Sequence, residues 1–370
     1  MDRFKKVLPE VLFFITILLL ILLISSNLTG MVNPSFWWPV SITGLFFPIL
    51  FILAFSAGIF WLFVKPKYSL HCMVAILLCI PNILVYIPFN LSADFNESKK
   101  STELRVVTWN VNLMNYSAKN DETAIKENEK IFTILHDLNA DVICLQDFFT
   151  AVIPDKRYNF IDSFRNYMGY NYSYFSRDYP KFEGNFYSGT IIFSKYKIVD
   201  SIKIKFPKPI SGSIIKIGLL YQDDTIDVVS THLQNINFGR DEDMALKDSS
   251  HDINKSPGFL KKLIYGYEDQ MKQVSSVQKV LDKSNRPIIF AGDLNDVPTS
   301  YTYSNIKREM KDVWLQKGTG LGITFNFNKY PLRIDYIFYS DKFTCKQTKK
   351  IQSTASDHYG IITDLKKGMQ

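Results

Sequence analysis

The chain is poor in the residues that build metal centres from sulfur and imidazole: 370 residues contain four cysteines and five histidines. No CxxC pair and no Cys/His spacing of the zinc-binding kind occurs, which excludes a zinc ribbon or a dithiol redox site. Cys72, Cys79, Cys144 and Cys345 are scattered, and nothing obliges the last two to pair. Internal repeats and low-complexity segments are missing, which excludes a solenoid. A strong charge of one sign is missing too: 43 Lys and Arg stand against 36 Asp and Glu, a net charge of +7. No long basic run advertises a nucleic-acid patch.

What is abundant is apolar sequence, and it is concentrated at one end. Residues 9–28 (PEVLFFITILLLILLISSNL), 36–64 and 68–90 are each long enough to cross a hydrocarbon core, which takes ~20 residues as helix. Three such stretches without a polar face leave no surface for water. The first exceeds the apolar core of a cleaved signal peptide and is followed by two more, so it reads as a retained anchor. Residues 1–90 are therefore expected to form three transmembrane helices. Arg3, Lys5, Lys6, Lys65 and Lys67 fall on one side of these spans, and Lys99, Lys100 and Arg105 on the other. The excess places the N-terminus in the cytoplasm and the C-terminal domain outside it.

Residues 91–102 (LSADFNESKKST) form a polar linker, and from 103 to 370 short apolar runs alternate with turn residues. LRVVTWNV (104–111), DVICLQDFF, SGTIIFSKYKI, IIKIGLLYQ, TIDVVSTHL, RIDYIFYS and YGIITDL read as strands. Helices are expected at 128–140, from Ile131, Ile134, Leu135 and Leu138, and at 259–284, from Leu260, Leu263, Ile264, Tyr267, Met271, Val274, Val277 and Leu281. The polar stretch from Asn235 to Gly258 reads as a mobile loop. Strands with a few helices between them indicate an α+β layered sandwich.

One segment raises the question of function directly. PIIFAGDLNDVPTS (287–300) runs an apolar strand into Asp293, Asn295, Asp296 and Pro298. Alone it is an ordinary turn. Polar residues recur at other strand ends, however: Asn110 in TWN, Asp147 in LQD, His232 in THL, Asp335 in RIDY, and Asp357 with His358 in SDH.

The ordered series TWN, LQD, SGTIIFSK, THL, GDLN, RIDY, SDH resembles the endonuclease/exonuclease/phosphatase superfamily, over residues 103–366. These are metal-dependent phosphoesterases that include deoxyribonuclease I, neutral sphingomyelinases and inositol polyphosphate 5-phosphatases. The resemblance implies a four-layered α/β sandwich, deoxyribonuclease I-like, with Mg2+, or Mn2+ in its place, as cofactor. It implies that Asn110, Asp147 and Asp357 lie on the metal side. Asp293 would orient or deprotonate water, Asn295 would bond a phosphate oxygen, and Asp335 would hold His358. His358 would act as base or stabilise the phosphate, and His232 would protonate the leaving group. The family normally has Glu where this chain has Asp147, which shortens the ligand's reach by about one C–C bond. The histidine of THL points away from the abasic-site endonucleases.

The expectation is thus a membrane-anchored hydrolase of phosphate esters, favouring a lipid or small organic phosphoester near the bilayer. The alternatives are an extracytoplasmic nuclease and, from another class, a catalytically inactive membrane receptor or scaffold. Phe182, Phe186, Tyr187, Phe238 and Phe259 are the aromatic residues of the candidate loops, read either as ordinary packing beneath long loops or as a lipid-facing set.

Overall fold

In the computed structural model the described residues are 2–90, 95–153, 158–235, 259–325 and 331–368. The expected loop Asn235–Gly258, apart from Asn235 itself, and with it Phe238, lies outside them, as do residues 91–94 of the linker. The chain divides into two compact units, Met1–Ile87 with Asp296–Asn305, and Pro88–Asn295 with Ile306–Gln370. Residues 296–305, expected with the C-terminal domain, group instead with the N-terminal helices.

The first unit is helical: α1 (Asp2–Ser25), α2 (Pro34–Leu45), α3 (Phe47–Val64), α4 (Pro66–Leu78) and α5 (Ile80–Tyr86). Prolines set its breaks. Pro34, Pro48, Pro66 and Pro81 each occupy the first or second position of a helix, where a missing N–H costs least. The stretch 36–64, expected as one span, is consequently two helices parted at Phe46, because Pro48 cannot donate to the turn before it. The third stretch bends by 56° between α4 and α5 at Pro81. Among the described residues two helices are long and apolar enough to cross a membrane, Val7–Leu28 and Phe47–Val64, and the bent pair would make a third.

Pairings along α1 give the bundle its directions. Trp61 Nε1 donates to Thr16 Oγ1 at 3.0 Å, and Lys65 pairs with Glu10 at 2.6 Å, so α3 runs antiparallel to α1. Tyr68 donates to Glu10, while Asn82 Nδ2 donates to Ser26 Oγ at 3.1 Å, so α4 and α5 run with α1. Leu23, Ala54, Trp61, Cys72 and Cys79 are fully buried between the helices, whereas Phe14, Leu53 and Phe63 point outward.

The second unit packs two sheets face to face. One has the order β12–β13–β1–β2–β5–β3 with β4 on β5, and the other β10–β11–β9–β8–β7–β6, numbered along the chain. The first sheet comprises β1 (Glu103–Asn110), β2 (Val142–Ala151), β3 (Tyr172–Phe175), β4 (Tyr179–Lys181), β5 (Phe186–Ser194), β12 (Phe343–Ile351) and β13 (Gly360–Lys367). The second comprises β6 (Ile198–Lys205), β7 (Ser213–Tyr221), β8 (Asp224–Thr231), β9 (Ile288–Asp293), β10 (Lys311–Asp312) and β11 (Asp335–Tyr339). Leu104, Val106, Cys144 and Ile192 from one sheet meet Ile215, Ile217, Val228, Ile289 and Ile337 from the other in a dry core. Helices α6 (Asp121–Leu138) and α7 (Phe160–Met168) cover the outer face of the first sheet through Ile131, Leu135, Phe160 and Phe164. Helix α8 (Phe259–Asp282) buries Leu263, Tyr267, Met271, Val274 and Val277.

Each sheet contains one parallel pair joined through a helix, β1–α6–β2 and β8–α8–β9. Parallel strands joined this way finish at the same end, which is where α/β sheets place their ligands. Helix α6 begins seven residues before its expected start, because Asn120 caps it by accepting from Thr123 N at 2.8 Å. Residues 95–99, read as free linker, are fastened to the sandwich. Asn96 N donates to Gln347 Oε1 at 2.9 Å, Lys99 pairs with Asp141 at 2.6 Å, and buried Arg105 donates to Glu97 O at 2.8 Å.

Candidate active site

The strand ends meet where the two sheets join. Asn110 is the last residue of β1 and Asp293 the last of β9, and Asn110 Nδ2 donates to Asp293 Oδ2 at 3.1 Å. His232 follows β8 directly and bridges to Asp293 in parallel register. Asp335 begins β11 and is paired in register with Asp293. His358 precedes β13, two residues before its start.

Asp147 reaches the same place by a different device. The pairing of β2 with β5 slips between Leu145 and Phe148, and Asp147 takes a left-handed φ of 48°. Such a bulge re-aims one side chain without ending the strand, and Asp tolerates this backbone better than most residues. Its carboxylate accepts from His232 Nδ1 at 3.1 Å and, at 3.4 Å, from Asn110 Nδ2.

Asp293 is the hub. It is fully buried; its Oδ1 accepts from Asn295 N at 2.8 Å, and its Oδ2 lies 3.5 Å from His232 Nε2 and 3.8 Å from His358 Nδ1. His358 Nδ1 is closer to Asp335 Oδ2, at 3.0 Å. Asp335 Oδ1 is buried with no hydrogen-bond partner among the described residues. Asp293, Asp335 and His358 each offer a ligand atom within 4.8 Å of the others. Of the residues expected to act together, Asp357 is the exposed one, and its carboxylate accepts from Ser356 Oγ at 3.4 Å.

Burial and mutual charge set the protonation states. Burial, and after it the negative Asp335, push Asp293 up to about 6, against the pull of His232 and His358. For His358, burial favours the neutral ring, but Asp335 and then Asp293 and Asp357 outweigh it and raise it to about 9. For His232, burial is likewise outweighed, here by Asp147 and then Asp293 and Asp335, which raise it to about 10. Burial opposes ionisation of Asp147 as well, yet the His232 charge and hydrogen bond hold it below the usual carboxylate value.

The Asn295 amide adds a constraint on His232. Its Nδ2 donates to Leu233 O at 2.8 Å and faces His232 Nε2 at 2.9 Å. An amide N–H at this point pairs with a lone pair on Nε2, which is the tautomer with its proton on Nδ1, toward Asp147. The carboxylates favour a second proton on Nε2, and a ring so charged no longer accepts from the Asn295 amide.

Several positioning residues gave no sign in the sequence. Ser356 Oγ donates to Asn110 O at 2.7 Å and accepts from His358 N at 3.1 Å, tying the first motif to the last. Thr324 Oγ1 accepts from Asp335 N at 3.1 Å, and the Phe325 ring lies 4.7 Å from the His358 ring. The glycine of GDLN has a steric reason: a Cβ on Gly292 would sit 2.4 Å from Thr231 O, so only glycine lets β9 lie this close to the end of β8.

Comparison with known proteins agrees with this geometry. Residues 107–358 match the Endonuclease/Exonuclease/phosphatase family, and residues 7–86 match a family described only as a domain of unknown function. A "UPF0294 protein" of Vibrio campbellii is 34% identical over 105 residues, which is 27% of this chain and only 35% of that relative's length. Among solved structures, an endonuclease/exonuclease/phosphatase from Beutenbergia cavernae superposes with a TM-score of 0.52 at 22% identity, covering 72% of each chain. A family protein from Leptotrichia buccalis gives 0.52 at 18% identity, covering 71% of this chain and 99% of its own. The human Nocturnin catalytic domain with bound sulfate gives 0.50 at 16%, covering 72% and 96%. The sandwich carries this fold, and over the residues that hold the whole strand-end cluster the chain belongs to the endonuclease/exonuclease/phosphatase family.

Proposed function

We propose that this family hydrolase is a membrane-anchored phosphoesterase that works with Mg2+ or Mn2+ on a lipid or small organic phosphoester. The observation that carries the chemical part is the convergence on Asp293 of one amide and two imidazoles from both sheets. A buried carboxylate raised to about 6 is a better base near neutrality than an ordinary one, because its pKa lies nearer the working pH. Asp293 orients or deprotonates the attacking water. Asp335 fixes the ring of His358 through Nδ1 and leaves Nε2 for the phosphate or its water. Asn295 donates to a phosphate oxygen when its amide leaves His232, and the same movement frees His232 Nε2 to protonate the leaving oxygen.

The donor set suits a hard cation. Asn110 Oδ1 accepts one bond, from Asn112 N at 3.0 Å, which leaves a lone pair, and the Asp147 side chain is one-third open. Asn110 and Asp147, with Asp357 at the rim, would hold the ion, and the unpartnered Asp335 Oδ1 marks a second place that calls for a water or cation. When bound, the ion supplies charge stabilisation for the phosphoryl oxygens. Asp147, shorter than the Glu usual in the family, is brought within reach by its bulge.

Support for the membrane part is the pair of long apolar helices and the bent third element. The preference for a lipid or small organic substrate rests on this tether and on exposed Phe182 among mixed charges. Phe186 and Tyr187 are half-buried, which fits packing beneath the loop, and the Phe259 side chain lies outside the described residues. The deciding experiment presents the purified full chain with phospholipid vesicles, small phosphodiesters and double-stranded DNA at fixed Mg2+. Turnover of lipid or small esters above DNA supports the proposal. A DNA preference that falls steeply with salt would make the protein a nuclease, and no turnover of any ester would leave a receptor or scaffold. For orientation, all four native cysteines are buried, so Tyr167→Cys places one exposed thiol on the sandwich. Labelling by a membrane-impermeant maleimide in cells with a permeable outer layer is expected if the sandwich lies outside the cytoplasm. Labelling only after the membrane is broken would reverse that assignment.

A further inference from the structure

The segment that follows Asn110 has a backbone the site does not explain. Asn112, Leu113, Met114 and Asn115 are four consecutive non-glycine residues in the left-handed region, with φ of 45°, 52°, 50° and 53°. Each costs roughly 1–2 kcal/mol relative to the right-handed form, so the turn persists only if its surroundings impose it. Met114 contributes by full burial. Besides bonds within the turn, such as Asn112 N to Asn110 Oδ1, a polar restraint comes from Asn128, on the inward face of α6.

Asn128 interrupts the buried stripe Ala124, Ile131, Leu135 and Leu138 at a position where helical periodicity calls for an apolar residue. Burying an amide there is costly unless both its ends are bonded. Both are: Nδ2 donates to Met114 O at 2.8 Å, and Oδ1 accepts from Asn115 Nδ2 at 3.2 Å. Asn115 Nδ2 also donates to Ala355 O, at 2.9 Å, in the residue just before Ser356. The chain of bonds therefore runs from α6 into the turn after Asn110 and on to the segment that carries Asp357 and His358. Ser356 closes the ring by donating to Asn110 O.

We propose that Asn128, acting through Asn115, is a positioning residue for the metal side of the site: it clamps the left-handed turn so that Asn110 and the 356–358 segment keep their spacing. This deepens the phosphoesterase reading and rests on it. Asn128 touches neither substrate nor ion. Its effect is to hold two segments, far apart in sequence, at the geometry that a cation demands.

The test uses the full chain in detergent with two variants. Asn128→Leu keeps the branching at Cγ and suits the apolar stripe while removing both bonds. Asn115→Gly removes the link to Ala355 O while easing the left-handed backbone. Two readouts are taken: the Mn2+ concentration that half-saturates the metal-induced rise in Tm, and amide hydrogen exchange over 110–116 and 355–358. The expected result is a midpoint raised on the order of tenfold in both variants, with faster exchange in both segments and the rest of the sandwich unchanged. A lower Tm with the parent's midpoint and the parent's protection in these segments would make Asn128 a packing residue and overturn the proposal. If the parent itself shows neither a metal response nor hydrolysis, the phosphoesterase reading falls, while the exchange arm still decides whether Asn128 clamps the two segments.

Discussion

The two units solve the same problem in opposite ways. The sandwich turns its apolar residues inward, between sheets and beneath α6, α7 and α8, and buries charged groups both in the strand-end cluster and in pairs such as Arg105–Asp364. The helical unit keeps small and polar groups between its helices, such as Thr16, Ala54 and Ser26, and turns Phe14, Leu53 and Phe63 outward. That second arrangement leaves much apolar surface uncovered by the protein. It is the pattern of helices packed by close contact and a few hydrogen bonds within an apolar phase.

The largest effect that sharpens this contrast is chemical. Asp293→Ala is expected to lower hydrolysis by on the order of 10² or more while leaving membrane extraction unchanged, because the residue belongs to the sandwich's site and to nothing in the bundle. Activity near the parent's at saturating Mg2+ would remove Asp293 from the mechanism. Next comes a matched pair of substitutions. Leu53 on α3 and Leu220 on β7 are comparably exposed, at 50% and 41%. If α3 faces lipid, Leu53→Asp costs about 3 kcal/mol of insertion. Leu220→Asp, facing water, should stay within roughly 0.5 kcal/mol. Membrane fractionation and thermal melting read the two, and equal tolerance would break the comparison. The smallest effect is expected from Asp147→Glu, which restores the longer carboxylate at the bulge. It should keep activity within a few-fold and lower the half-saturating Mg2+. An inactive variant would show that the bulge and the shorter side chain were selected together.

How much of this was legible in the sequence follows from where the signals lay. The strand-end cluster was, because Asn110, His232, Asp293 and Asp335 each close or open a strand whose apolar run stands out against a polar stop. Strand β12 was not, since Thr344, Lys346 and Lys349 alternate with its buried residues and weaken the apolar signal. The short helix α7 brings Phe160 and Phe164 fully into the core, with Ile161 and Met168 only partly buried against it, and its 9 residues make only about two and a half turns. The run 36–64 looked continuous because hydropathy does not register a missing N–H at Pro48. Most opaque were the restraints on the site: no residue type marks four left-handed positions at 112–115, and the bonds of Ser356 and Thr324 exist only once distant segments meet. Asn128 alone left a trace, as the one amide in an otherwise apolar helical stripe.

Gly292 has a consequence of another kind. Because a single methyl group at this position would strike Thr231 O, the gap between the ends of β8 and β9 is fixed by an atom that is missing. His232 and Asp293 ride on those two ends. Gly292→Ala therefore works as a shim: it forces the two side chains of the candidate site apart while changing neither, which allows any activity's tolerance to their distance to be measured separately from its need for either side chain.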